Sequence, residues 1–325
     1  MATSIQTGTA TSPSQDPDGA LLALLRLLGK RGYRFVTPTP ATHARVVARP
    51  DRQEARNLAD VLGWSLPFEP ALLDTELSDM LVAADALQPW SNGRLKSRYR
   101  VSSLGGALFL HSAYPTDADD AVFFGPDSYR FADLITTELA DCPYPAGTNL
   151  VDMGAGAGVG AITAARLCLD LGVTMTDINP DALRLARINA RAAGVQARTV
   201  TTTDLGGVSG FLDIALANPP YIIDSAGRDY RDGGGMHGAK VALEMAAAAL
   251  GRLSPGGRLI LYTGSAIVNG GDLLQTALSE IAADHGCSMR YREIDPDVFG
   301  EELENPPYRD VDRIAVVAAI LTRGR

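Results

Sequence analysis

At 325 residues the chain is too long for one small domain and about right for two. Hydrophobic residues make up 46% and charged residues 21%, so a sizeable core needs no metal or disulfide staple. The net charge of −9 works against a large nucleic-acid footprint, because phosphate backbones repel an acidic surface unless a local basic patch intervenes.

Residues 1–18 are polar, rich in Ser and Thr and without a basic start, which predicts a disordered tail rather than a targeting segment. Asp18 reads as the N-cap of a helix through about Gly32. Its apolar run, residues 21–25, soon meets Arg26, so the helix is amphipathic and does not span a membrane. Helical periodicity returns near 51–63 and 70–87, and Thr37-Pro38-Thr39-Pro40 breaks it in between. The character then changes. Tyr99-Arg-Val-Ser-Ser and Ala107-Leu-Phe-Leu-His flank Gly105-Gly106 as a β-hairpin. Arg94, Lys96, Arg98 and Arg100 alternate, so on one strand they would share a face, either a solvated edge or a surface for RNA phosphates. Residues 121–124 read as a short strand, and Pro126-Asp-Ser opens a helix to about Ala140. This divides the chain into a tail (1–18), a mainly helical substrate or lid domain with a hairpin (19–118), and a second domain (119–325).

From 149 onward strands at 149–153, 173–178, 211–217 and 258–263 alternate with helices at about 159–170, 180–193 and 239–253. Such alternation predicts a parallel sheet covered on both faces. The strands beginning at Met289 and Arg313 have no helix between them and predict a closing antiparallel pair. The fold class is α/β, a Rossmann-like, mostly parallel seven-stranded sheet with an antiparallel last strand. Cys142, Cys168 and Cys287 are odd in number and widely spaced, which predicts reduced thiols in a cytoplasmic protein, with Cys168 a small core residue.

The first strand of the sheet runs into Gly154-Ala155-Gly156-Ala157-Gly158-Val159-Gly160. Glycines there allow a tight turn and a close backbone approach to a ligand. A glycine loop alone serves NAD as well. Three carboxylates narrow the ligand. Asp152, before the loop, would repel a pyrophosphate but can accept, through water, from the ammonium of an amino acid. Asp177, closing the next strand beside Ile178 and Asn179, can accept from both ribose hydroxyls. Thr203 and Asp204, after the following short strand, sit where an adenine amino group would donate. Amino acid, ribose and adenine together make S-adenosylmethionine (SAM).

The strand at 211–217 ends in Asn218-Pro219-Pro220-Tyr221. With Asp152-Met-Gly-Ala-Gly-Ala-Gly and Asp177-Ile-Asn-Pro, this resembles the HemK-type glutamine methyltransferases and related amino-methyltransferases. Arg231-Asp232-Gly233-Gly234 and Pro255-Gly256-Gly257-Arg258 extend the likeness, which covers about 120–265. The resemblance implies that Asn218, Pro219 and Tyr221 are catalytic and that Asn218 borders the cofactor. The Asn218 amide oxygen and the Pro219 carbonyl would each accept one N–H of a planar nitrogen, and Tyr221 would stack on it. It also implies that the segment Asp127 to Phe131, with Ser128 and Tyr129, borders the SAM pocket, Asp127 otherwise reading as a helix cap, and that Pro220 lies on the substrate side. No metal is expected.

Three readings of function stay open. The first is N-methylation of a planar amide or amine on a protein, or less readily on an rRNA base. The second is SAM chemistry on a small molecule such as an amino acid, and the third a SAM- or NAD-binding module without methyl transfer. A second Asn-Pro-Pro-Tyr begins at Asn305 and reads as a turn before the last strand, although its loop, joining the two closing strands, is also placed to border the site. The stretch from Ser225 to His237 is placed like a substrate lid, with His237 a minor candidate for a base. Arg184, Arg187 and Arg191 read as solvent-facing.

Overall fold

The computed structural model describes residues 16–140, 144–224, 228 and 230–325. The expected tail therefore falls outside the described residues up to position 15, as does Cys142. Helix α1 (Pro17–Lys30) is capped by Asp16, whose side chain accepts from the Gly19 N–H, with a proline in the first turn. Asp18, expected as the cap, instead lies in that first turn. Asp16 precedes Pro17, and a proline at the first helical position needs no N–H partner. Residues 37–39 are non-helical, as expected of a break, but Pro40 then opens a helix by the same chemistry. Thr39 caps helix α2 (Pro40–Val47) by accepting from the Thr42 N–H.

Helices α3 (Leu58–Leu62) and α4 (Thr75–Ala83) are shorter than the periodicity predicts. Pro50 and Pro70 open separate 3-10 turns ahead of them. Strands β1 (Leu87–Pro89) and β2 (Leu95–Ser97) pair antiparallel, as do β3 (Tyr99–Leu104) and β4 (Ala107–Ser112). Positive φ at Gly105 and Gly106 makes the two-residue turn of the expected hairpin.

The alternating cations do not share a face, because the chain passes from β2 to β3 at Arg98. Lys96 and Arg100 are buried. The Lys96 ammonium donates to the Tyr114 carbonyl at 2.7 Å, and Arg100 Nε to the Ser112 carbonyl at 3.1 Å. Residues 121–124 are not a strand either. Val122 alone exchanges bonds with Ser112, and Gly125 then turns the chain into α5 (Pro126–Glu138).

Next come β5 (Asn149–Met153), α6 (Val159–Leu167), β6 (Gly172–Asp177), α7 (Pro180–Ala192), β7 (Arg198–Thr201) and β8 (Leu212–Ala217). The chain continues through α8 (Lys240–Leu250), β9 (Leu253–Val268), β10 (Gly271–Asp272), α9 (Leu273–Asp284), β11 (Cys287–Asp295) and β12 (Arg313–Arg323). The sheet order is β11-β12-β9-β8-β5-β6-β7, with β10 pairing the end of β9. Pairing is parallel from β9 to β7, and β12 is antiparallel to both its neighbours. Side chains alternate along each strand. Leu150, Ile214, Ile260 and Tyr262 point into the core shared with α5, α6 and α7, while Val151, Ala215, Leu259 and Leu261 point toward α8 and α9.

The N-terminal elements share the first of those cores. Asn189 of α7 is buried and joins the two parts. Its amide exchanges bonds with both the N–H and the carbonyl of Leu110 in β4 and donates to the Ala157 carbonyl. Arg184, expected in solvent, donates to Asp18 at 2.6 Å and to the Tyr99 hydroxyl at 3.2 Å. The hairpin of the first part is thereby pinned to the helix beneath the glycine loop. Cys168 is buried and disulfide-bonded, which corrects the reading of reduced thiols, while Cys287 is free. Proximity in the fold, not spacing in the chain, decides such pairing.

Candidate active site

Because β5, β6, β7 and β8 are parallel, the loops after them gather at one edge of the sheet, where open α/β sheets form their crevice. A cavity of about 1010 Å³ lies there. That is the upper end of the range for ligand sites and leaves room for a nucleoside-sized ligand and an acceptor together. Its wall includes Asp152, Gly154, Ala155, Gly156, Asp177, Ile178, Asn179, Thr203, Asp204 and Asn218.

Asp152 is 1% exposed and its carboxylate accepts the Ala161 N–H at 2.7 Å, in the first turn of α6. Burial pushes its pKa up to about 7, against the pull of that N–H and helped by the charge of Asp177. Gly160 is required by this arrangement, since a Cβ there would lie 2.7 Å from Asp152 Oδ1. Asp177 accepts from the Gly156 N–H at 2.8 Å and the Asn179 N–H at 2.9 Å. Gly156 has φ 53°, and the space where its Cβ would stand is open. Asp204 is exposed. The Gly206 N–H and the Thr202 hydroxyl hold it below the usual carboxylate range. Gly158, expected among the cofactor contacts, is not on the wall. It caps α6 at φ 82°, and a Cβ there would lie 3.2 Å from both Ala186 and Met175.

Asn218, Pro219, Pro220 and Tyr221 all reach the wall from the end of β8. The Asn218 amide makes no hydrogen bond with the described residues, whereas Tyr221 is anchored. Its hydroxyl donates to Asp127 at 2.8 Å, and the Tyr262 hydroxyl donates to the other carboxylate oxygen at 2.7 Å. The Tyr221 ring lies on Gly264, where a Cβ would come within 2.1 Å of it, and meets Phe299 edge-on at 5.8 Å. At 6% exposure it has little free surface for the stacking role expected of it. Burial, followed by the charge of Asp127, holds its phenol far above its usual pKa.

Ser128 is on the wall and accepts from the Gly125 N–H. Tyr129 is not. It accepts from the Thr37 N–H at 3.0 Å and meets Phe124 edge-on, because successive residues of a helix face different ways. His237 is also off the wall, paired with Asp310 at 3.1 Å. Residues 225–227 and 229 of the expected lid lie outside the described residues, but Tyr230, Arg231 and Asp232 line the cavity.

Sequence reasoning missed the contribution of helix α2 and, in the second Asn-Pro-Pro-Tyr, the bracing role of Tyr308. Thr39, Pro40, Ala41 and Arg45 of α2 form part of the wall, although nothing in their local pattern marks them. The second Asn-Pro-Pro-Tyr lies off the wall yet supports the first. Tyr308 is 1% exposed, and its hydroxyl accepts the Ile223 N–H at 2.7 Å, two residues beyond Tyr221. Glu302 of the same connection pairs with Arg231, and Phe299, Glu301 and Glu302 border the cavity. Among the described residues no helix is long and apolar enough to cross a membrane, and no group of His, Cys, Asp or Glu is placed to hold a metal.

The methyltransferase small domain family model matches residues 130–283. The chain is 31% identical over 233 residues to the release factor glutamine methyltransferase of Moorella thermoacetica, which covers 67% of this chain and 80% of that relative. It is also 31% identical over 181 residues to the release factor glutamine methyltransferase of Deinococcus radiodurans, spanning 54% of this chain and 63% of that one, a little under two thirds. Among solved structures, a methyltransferase from Pyrococcus furiosus is 19% identical with a TM-score of 0.43, over 63% of this chain and 89% of that one. On its match to the Moorella relative, the chain belongs to the HemK-like family and is a SAM-dependent methyltransferase.

Proposed function

We propose that this enzyme methylates the side-chain amide nitrogen of a glutamine in a protein. The observation that carries the proposal is that Asn218-Pro-Pro-Tyr lines the same cavity as Asp152, Asp177 and Asp204. SAM supplies an electrophilic methyl on a sulfonium, a good leaving group. Asp152 would accept, through water, from its ammonium, Asp177 from the ribose hydroxyls, and Asp204 with Thr203 from the adenine amino group. The glycine loop lets the backbone approach without a Cβ in the way.

An amide nitrogen is a poor nucleophile because its lone pair is delocalised. The Asn218 side-chain oxygen and the Pro219 carbonyl accept its two N–H groups and turn that lone pair toward the methyl. The two prolines limit how far the carbonyl can move. Positioning of this kind supplies much of the rate, and no strong base is needed, because the nitrogen becomes strongly acidic once it takes the methyl from the sulfonium and sheds its proton to solvent. Relatives named release factor glutamine methyltransferase support a protein glutamine as acceptor. In this reading residues 19–118 form a substrate-side module and the enzyme works in the cytoplasm.

One observation favours a second reading. Helix α2 walls part of the cavity, as a roof over a small planar acceptor would. The test is a labelled-methyl SAM reaction on cell extract, separated into protein, RNA and metabolites. Label in protein supports the first reading and label in metabolites the second. Label in RNA overturns both.

A further inference from the structure

Asp127 opens helix α5, outside the glycine loop and the Asn-Pro-Pro-Tyr motif, yet two tyrosine hydroxyls beside the cavity converge on it. It is 9% exposed. One carboxylate oxygen accepts the Tyr221 hydroxyl at 2.8 Å and the other accepts the Tyr262 hydroxyl at 2.7 Å. Tyr262 lies in β9, next to β8 in the sheet, and its partner hydroxyl sits at the end of the candidate catalytic motif. Arg130, one turn along α5, approaches Asp127 at 3.5 Å and bonds Asp295 at 3.0 Å. Asp295 ends β11, in the connection that carries Phe299 back onto the Tyr221 ring. The contacts close a loop from Tyr221 through Asp127, Arg130 and Asp295 to Phe299.

We propose that Asp127 is a positioning residue for methyl transfer, holding Tyr221 and with it the Asn218 and Pro219 acceptors in register with the cofactor half of the cavity. This rests on the reading that Asn218-Pro-Pro-Tyr aims the acceptor nitrogen. Two charge-assisted hydrogen bonds on one buried carboxylate fix both its rotamer and the rings that donate to it. Gly264 clears the space for the Tyr221 ring, so the phenol has one seat, and Asp127 defines its far end. Tyr221 ends a tetrapeptide whose prolines make it stiff, so a shift of its ring is transmitted to the Pro219 carbonyl instead of being absorbed between them. Near-attack geometry tolerates little such movement.

The test compares wild type with Asp127→Ala, Asp127→Asn and Asn218→Ala. Release-factor protein is the acceptor, SAM binding is measured by calorimetry, and 3-fluorotyrosine at position 221 is followed by fluorine NMR. Asn can keep both tyrosine contacts, accepting one hydroxyl and donating to the other, whereas Ala keeps neither. The expected result is a fall in kcat of about 10- to 100-fold for Asp127→Ala with SAM affinity within about threefold of wild type. The Tyr221 resonance shifts and broadens, and Asp127→Asn recovers most of kcat and the resonance. An unmoved Tyr221 resonance in Asp127→Ala overturns the proposal. So does a loss of activity that follows SAM affinity alone, or an Asn variant as poor as the Ala variant. Full activity in Asn218→Ala would instead overturn the reading of the motif, and the fluorine signal would still decide whether Asp127 seats Tyr221.

Discussion

Replacing Asp152 by Asn separates what this carboxylate does for the cofactor from what it costs the fold. An acid whose folded pKa is raised binds its proton more tightly in the native state than in the unfolded chain. Its contribution is therefore neutral at low pH and becomes destabilising as pH rises from the ordinary value of 3.8 to the folded value of about 7. Across that window the penalty grows to about 4 kcal/mol, at 1.36 kcal/mol per pH unit, and is complete above pH 7. The Asn variant keeps an oxygen for the Ala161 N–H but has no charge to bury, so this slope disappears. Its stability also carries the cost of a buried amide donor, about 1–3 kcal/mol. The readout is therefore the pH dependence of the difference between the two proteins, not its level. Urea unfolding without cofactor at several pH values from 4 to 8 measures it, and titrations common to both proteins cancel. The difference should move in favour of the variant by about 4 kcal/mol from pH 4 to pH 8, while the variant binds SAM more weakly. Parallel stability curves would refute the assignment of a buried, protonatable Asp152.

Three other substitutions test separate parts of the account. Gly160→Ala drives a methyl to 2.7 Å from Asp152 Oδ1 and should cost about 1–3 kcal/mol with weaker SAM binding, whereas unchanged calorimetry would contradict the packing. Asn189→Ala orphans the Leu110 N–H and carbonyl and the Ala157 carbonyl. A loss of about 3 kcal/mol by urea unfolding is expected, and a loss well under 1 kcal/mol would show that the two parts are not joined there. Tyr308→Phe removes the acceptor for the Ile223 N–H. It should cost about 1 kcal/mol and raise the KM for the methyl acceptor without changing SAM affinity, and a change confined to SAM affinity would contradict it.

The methyltransferase core was legible because its signals are local. Strands buried on both faces are continuous apolar runs, and Asp152, Asp177, Asp204 and Asn218 stand at strand ends, where parallel pairing gathers them. What stayed hidden depends on tertiary contact. The prolines at 38 and 40 read as breakers, and only Thr39 seated over the next turn makes Pro40 a helix start. Lys96 and Arg100 read as a solvated row because alternation does not reveal that the chain changes strand at Arg98. Arg184 and Asn189 lie on a helix that turns these two side chains toward the first part of the chain, while Arg187 and Arg191 face water as their pattern predicts. Tyr308 repeats the motif of Tyr221 yet works as a brace, a distinction set by a partner 85 residues away in the chain.

The central claim is that the cavity delivers a methyl group to an amide nitrogen held by Asn218. The most direct measurement is mass spectrometry of a release-factor protein incubated with SAM and either the wild-type enzyme or Asn218→Ala. A single methyl on a glutamine side chain, formed by wild type and reduced about 100-fold in Asn218→Ala, is the predicted result. Methylation at another residue type, or equal methylation by the variant, would contradict it.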